Sequence, residues 1–276
     1  MRRALAFSAV VLAAAHAYGD APKKASGNAN ANAKPGPVAR VVSKPAATPP
    51  KYASYVKSWH TPTPNKAPPV DASGRPMLAL FALNTGDRIE LPALSERGGF
   101  AASLLDRAAF VMRESHSGNE HPIEPRLLDV VYALQTHFNA HEVRMVSGYR
   151  TPHRGVSNHG RGRAMDLVIP GASDEDVAKF AREMGFVGVG VYPTSGFVHV
   201  DVRDRSYFWV DASGPGRRNR ERGILGDLAK KSDQRAATRG DKPTPPFFVA
   251  SDVDLALGSR NGTTGAPAED DDDDDE

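Results

Sequence analysis

His159 and Asp166 lie seven residues apart in Ser157-Asn-His-Gly-Arg-Gly-Arg-Ala-Met-Asp166, and His199 follows forty residues after His159 in Gly196-Phe-Val-His-Val-Asp201. Two imidazoles and a carboxylate make a three-ligand set, the number a catalytic zinc keeps while its fourth position stays open to water. A structural zinc site closes with four ligands and favours thiolate, and this chain has no cysteine. Calcium and magnesium prefer all-oxygen shells, so the mixed set points to Zn2+. The chemistry implied is metal-assisted hydrolysis.

The setting of each residue strengthens the pattern. On a predicted strand over 164–169, Ala164, Asp166 and Val168 share one face while Met165, Leu167 and Ile169 take the other. A carboxylate among such apolar neighbours is costly to bury unless it is paired or metal-bound. His199 has the same character between Val198 and Val200, and His159 sits in a loop with Gly160 and Gly162. His60, His116, His121, His137 and His141 carry no such context and read as structural or surface positions. Asp201 shares a strand face with His199. It is either the general base that takes the water proton or the partner that orients His199. His153 is a weaker candidate base. Arg150 follows a short strand over 143–146 and stands nine residues before His159. Its permanently charged fork suits an oxyanion on a scissile carbonyl, the bland alternative being a surface arginine before Pro152.

The elements that must position these residues are legible in outline. Met77–Leu83 and Arg88–Leu91, separated by Asn84-Thr-Gly-Asp87, predict a hairpin. Apolar residues at helical spacing predict helices over 101–113 and 125–139. Ser173-Asp-Glu-Asp176 predicts a helix start, with Gly185 as its end. Residues 186–192 and 197–202 read as paired strands and 207–210 as an edge strand. The fold class is α+β, a single small domain over 75–212 with a mainly antiparallel sheet flanked by helices.

Composition supplies an address. Met1-Arg-Arg, an apolar run over 4–15 and a small-residue exit near Ala17 follow the grammar of a secretory signal peptide, assigned to 1–19. The run is too short for a stable span, which takes about 20 apolar residues. Its removal lowers Lys+Arg from 35 to 33, against 33 acids, so the remaining chain is formally neutral. The basic pI is therefore no argument for nucleic acid. Residues 20–74 have the Pro-, Ala- and Lys-rich composition of a disordered linker. Residues 213–276 read as a disordered tail that ends in eight consecutive acids, with Phe247–Phe248 as its one apolar patch. The expected product is a periplasmic or otherwise extracytoplasmic monomer with no membrane insertion.

The motif S-x-H-x-x-G-x-A-x-D, followed by H-V-D on a later strand, resembles the zinc peptidases that cut peptidoglycan peptides. That superfamily holds the D-alanyl-D-alanine carboxypeptidases and shares its fold with the hedgehog domain. Asn84-Thr-Gly-Asp87, Glu120-His-Pro-Ile-Glu-Pro-Arg-Leu-Leu-Asp129 and Ser147-Gly-Tyr-Arg-Thr-Pro152 narrow the resemblance to the murein endopeptidase K branch, over about 77–211. It implies His159, Asp166 and His199 on zinc, Arg150 in the cleft, and stem peptides of cell-wall peptidoglycan as substrate. The chain departs from better-known relatives at Gly196, where an acidic residue often stands three before the last histidine. There is no H-E-x-x-H helix, no Gly-x-Ser-x-Gly elbow, and no lysine three residues after Ser147. Two alternatives stay open: a D,D-carboxypeptidase or dipeptidase, and a non-catalytic zinc-stabilised binding module. Arg154, Arg161 and Arg163, in one Gly-containing loop, read as the rim of a groove open at both ends.

Overall fold

A computed structural model describes residues 50–65, 67–152, 157–215, 217 and 224–244. The predicted signal segment, His153, Arg154, the Phe247–Phe248 patch and the acidic run lie outside the described residues. Helix α1 (Pro50–His60) precedes the hairpin of β1 (Met77–Ala82) and β2 (Arg88–Pro92). Helices α2 (Ala102–Val111) and α3 (Pro125–His137), strand β3 (Val143–Ser147), a 3-10 turn (His159–Arg161) and strand β4 (Ala164–Val168) follow. The chain continues through α4 (Asp174–Ala181), β5 (Val187–Tyr192), β6 (Phe197–Val202), β7 (Tyr207–Val210) and α5 (Gly226–Thr238). The seven strands form one sheet in the order β2-β1-β3-β4-β6-β5-β7. β1 runs parallel to β3 and β5 parallel to β7, and the other neighbours are antiparallel. The α+β expectation holds, with β7 at an edge as the pattern implied.

Local chemistry sets the helix ends. Pro125 occupies the first turn of α3, where its missing N–H costs nothing. The Ser173 hydroxyl accepts from the Asp176 N–H at 3.1 Å, and three acids in that turn complement the helix dipole. α4 stops at Ala181, one turn earlier than Gly185 implied. Along β4, Met165 and Leu167 enter a fully buried core with Leu127, Leu128 and Leu134 of α3. Asp166 is thereby turned to the opposite face.

The structure departs from the expected boundaries at both ends, since α1 falls in the segment read as linker and α5 in the tail. Neither helix is apolar enough to announce itself, and tertiary contacts hold both. Arg144 on β3 donates to the carbonyls of Ser58, Trp59 and Thr61 at 2.7, 2.8 and 2.8 Å, satisfying the orphan acceptors at the end of α1. Asp233 of α5 accepts from the N–H groups of Phe186 and Ser206 at 2.7 and 2.8 Å. Ala236 packs where a Cβ on Gly185 would come within 2.3 Å. A chain cut to 72–214 strips Arg144 and Phe186 of these partners. Its expected outcome is a loss of about 2–4 kcal/mol, two or more buried polar groups at about 1–3 kcal/mol each, partly rehydrated. Thermal denaturation beside the full chain checks it, and an equal Tm would show that the helices add nothing.

Candidate metal centre

The site is built on the two central strands. Asp166 on β4 stands directly opposite His199 on β6 in the antiparallel register. Alternation then places Ala164, Asp166 and Val168 with His199 and Asp201 on the face away from the core. His159 enters from the 3-10 turn before β4. That approach depends on Gly162, which has φ +66° and whose Cβ would meet the Pro122 carbonyl oxygen at 2.1 Å.

All three side chains are buried, at 5%, 2% and 8% exposure for His159, Asp166 and His199, so their charges must be compensated locally. Their ligand atoms lie within 4.8 Å of one another. His199 Nδ1 is 2.9 Å from Asp166 Oδ1 and 3.2 Å from His159 Nε2, and His159 Nε2 is 3.4 Å from the same carboxylate oxygen. The far nitrogens set the tautomers. His159 Nδ1 lies 2.6 Å from the Gly148 carbonyl, an acceptor only, so it carries the proton and Nε2 faces inward with a lone pair. His199 Nε2 is 2.9 Å from Asp201 Oδ2, which turns the Nδ1 lone pair inward in the same way. Two imidazole lone pairs and a carboxylate oxygen converging in a buried space could hold a cation, and that donor set suits zinc. The residues fit the group their spacing implied.

Electrostatics agree. Burial raises the Asp166 carboxyl, but the neighbouring His159 and Arg150 outweigh it and hold it well below the usual carboxylate range. Burial, then Arg150, pushes His159 down. Burial also opposes charge on His199, yet its bonds to Asp166 and Asp201 push it up to about 9. In the metal-free chain a proton therefore occupies the position that a metal would take. A raised pKa contributes stability that is full below the unfolded value, about 6.5, and is lost as pH rises through about 9. His159, shifted the other way, acts below that window. The metal-free chain should thus lose thermal stability between pH 6.5 and 9, whereas zinc-loaded chain, with no proton at that nitrogen, should not. Parallel melting curves check this, and identical pH slopes for both forms would contradict it.

Arg150 donates through Nε to Ser147 Oγ at 2.9 Å and through its terminal nitrogen to Asp166 Oδ2. It occupies the carboxylate oxygen that the histidines leave free, and its half-exposed side chain keeps other donors toward solvent. Asp201 is fully buried and fully engaged. It accepts from Arg203 Nε and terminal nitrogen at 2.6 Å each, from the Gly188 N–H at 3.0 Å, and from His199. Burial works against its charge, but Arg203 and the bond to His199 hold its carboxyl far below the usual range. Arg163 does not line a rim: it is buried at 4% exposure against Glu124, 3.6 Å away, because it leads directly into β4.

Sequence reasoning missed several supports. A Cβ on Gly188 would strike the Asp201 carboxylate at 2.1 Å, and one on Gly190 would strike the Trp209 ring at 2.4 Å. Trp209 lies tilted against His199, ring centroids 5.1 Å apart, and donates to the Tyr192 hydroxyl at 3.1 Å. The signal was the alternation Val187-Gly-Val-Gly-Val191, which spares side chains only on the site face. Gly196 offers no carboxylate, and its φ of +72° and the 2.3 Å approach of Val56 to its Cβ position require glycine there.

The family model for the peptidoglycan L,D-endopeptidase MepK matches residues 70–207. A Haemophilus influenzae protein named "Probable peptidoglycan L,D-endopeptidase MepK" is 31% identical over 154 residues, 50% of this chain and 82% of the relative. The Escherichia coli K12 peptidoglycan L,D-endopeptidase MepK is 34% identical over 139 residues, 46% of this chain and 76% of its own length. No solved structure matches. The matched span contains His159, Asp166 and His199 and their hydrogen-bonding partners Gly148, Arg150 and Asp201, and the chain belongs to the peptidoglycan L,D-endopeptidase MepK family.

Proposed function

We propose that the chain is an extracytoplasmic, zinc-dependent endopeptidase that hydrolyses peptide cross-links of peptidoglycan. The observation that carries this is the buried His159–Asp166–His199 triad, with both histidine lone pairs turned inward and a half-exposed arginine beside it. The relatives' names supply the substrate class and the preference for a bond between an L- and a D-centre. The predicted signal segment supplies the location, and no helix among the described residues is long and apolar enough to cross a membrane.

Zinc, when bound, polarises the scissile carbonyl and lowers the pKa of a coordinated water from about 15.7 toward 7. His159 Nε2, Asp166 Oδ1 and His199 Nδ1 would hold it. Gly148 and Asp201 keep both rings in the ligating tautomer. Arg150, anchored on Ser147 and Asp166, directs its remaining N–H groups at the carbonyl oxygen as negative charge develops there. Beside it a cavity of about 230 Å³, lined by Asn84, Glu114, His116 and Tyr149, has room for a flanking residue of the stem peptide. Asp201 acts by orienting His199 rather than as the base, because each of its oxygens is already committed to buried donors.

Asp201→Asn separates the two roles. The orienting role predicts zinc affinity 10- to 100-fold weaker, with kcat at saturating zinc within about tenfold of the parent. Loss of kcat by about 10²–10⁴ at intact affinity would restore Asp201 as base. The substrate class is tested by incubating the chain with cross-linked muropeptide dimers and with pentapeptide monomers. Conversion of dimers to monomers is expected. Release of D-alanine from monomers with dimers untouched would replace this reading with a carboxypeptidase.

A further inference from the structure

Helix α1 lies outside the span that the family model matches, residues 70–207, yet it packs on Arg144 of β3 and on the turn between β5 and β6. Its C-terminal end rests on Arg144, which pairs with Val168 and so shares the face of Asp166. Its body rests on the β5–β6 turn: Val56 stands over Gly196, and His60 Nε2 lies 3.2 Å from the Gly196 carbonyl. One turn before Val56, Tyr52 donates its hydroxyl to the Ser195 carbonyl at 2.9 Å and sets its ring edge-on to Trp59, centroids 5.7 Å apart. The phenol is half-buried, and burial and then the negative charge of Asp166 raise its pKa above the ordinary value. The hydroxyl stands at the turn that leads into β6, the strand that carries His199. With its proton committed to Ser195, the phenolic oxygen keeps acceptor capacity and makes no other hydrogen bond among the described residues.

We propose that α1 forms one wall of the substrate cleft and that Tyr52 binds the peptide there, its phenolic oxygen accepting a backbone N–H of the stem peptide. The proposal rests on the peptidoglycan endopeptidase reading. It assigns α1 a part in substrate binding that the matched domain does not contain. It also accounts for Gly196, since any side chain at that turn would lift the helix from the site.

The test uses the full zinc-loaded chain and purified cross-linked muropeptide dimers. Tyr52→Phe removes the oxygen and keeps the ring on Trp59. One neutral hydrogen bond predicts KM about 3- to 10-fold higher, with kcat within twofold. Val56→Glu, which pushes a charge at Gly196, should undock α1 and raise KM at least as much. Zinc content should be unchanged in both, and tryptophan emission, which senses Trp59, should shift in Val56→Glu alone. Dimer binding to the zinc-free chain, followed by the same emission, should weaken in parallel. A KM unchanged in Tyr52→Phe, or lower in Val56→Glu, overturns the proposal while dimer cleavage by the parent keeps the endopeptidase reading. A parent chain that leaves dimers intact overturns that reading, and the proposal with it.

Discussion

Replacing His199 with alanine is expected to abolish metal retention and hydrolysis together. The substitution removes one of three ligands from a buried set in which only a carboxylate oxygen and one imidazole would remain. Zinc sites of this kind keep three protein ligands because the fourth position must stay open. The metal's Lewis-acid contribution is several kcal/mol, so kcat/KM should fall by at least about 10³-fold. The fold should survive, since Asp201 keeps both bonds to Arg203 and its bond to Gly188. His159→Ala should behave alike. Elemental analysis beside a dimer-cleavage assay checks both variants, and full zinc content with full activity would remove these residues from the ligand set.

Arg150→Ala should separate chemistry from metal binding. Arg150 holds Asp166 through Oδ2, whereas the histidines converge on Oδ1. Zinc should therefore stay bound, though more weakly, while kcat drops about 10²–10³-fold, the loss typical of a removed oxyanion donor. Arg150→Lys should recover little of it, because the three donors of an ammonium sit on one nitrogen and lack the planar fork that reaches Ser147 and Asp166 from separate nitrogens while aiming a further N–H at the cleft. Steady-state kinetics at saturating zinc decide the matter. A change confined to KM would make Arg150 a binding residue.

The convergence of Asp166 and His199 was legible because strand alternation is a strict rule. With Asp166 and His199 each flanked by apolar residues, their side chains had to leave the core on one face, and the register sets them opposite each other. Asp201 was legible as a neighbour of His199 but not in its role. The choice turns on Arg203, two residues further on, whose two hydrogen bonds to Asp201 depend on how the chain leaves β6. Ser147 was read as part of the family motif and as a serine without the lysine of a nucleophile, and its bond to Arg150 lies beside the irregular β3–β4 register.

The two helices outside the expected boundaries were illegible for a different reason. Tyr52, Val56 and Trp59 do recur at helical spacing, but α1 has no fully buried residue, and Pro- and Ala-rich sequence surrounds it. α5 buries only Ala229, Ser232 and Ala236, a stripe of small residues without hydrophobic signal. Each helix exists through contacts made by distant residues: Arg144 and Gly196 for the first, Phe186 and Ser206 for the second.

Zinc add-back to chelator-stripped chain, followed on cross-linked muropeptide dimers, tests the central claim most directly. The account predicts that stripped chain is inactive. Cleavage should return in proportion to added zinc and level off at one equivalent, with His159→Ala and His199→Ala silent throughout. Full cleavage by stripped chain, or a response to zinc that persists in those variants, would contradict it.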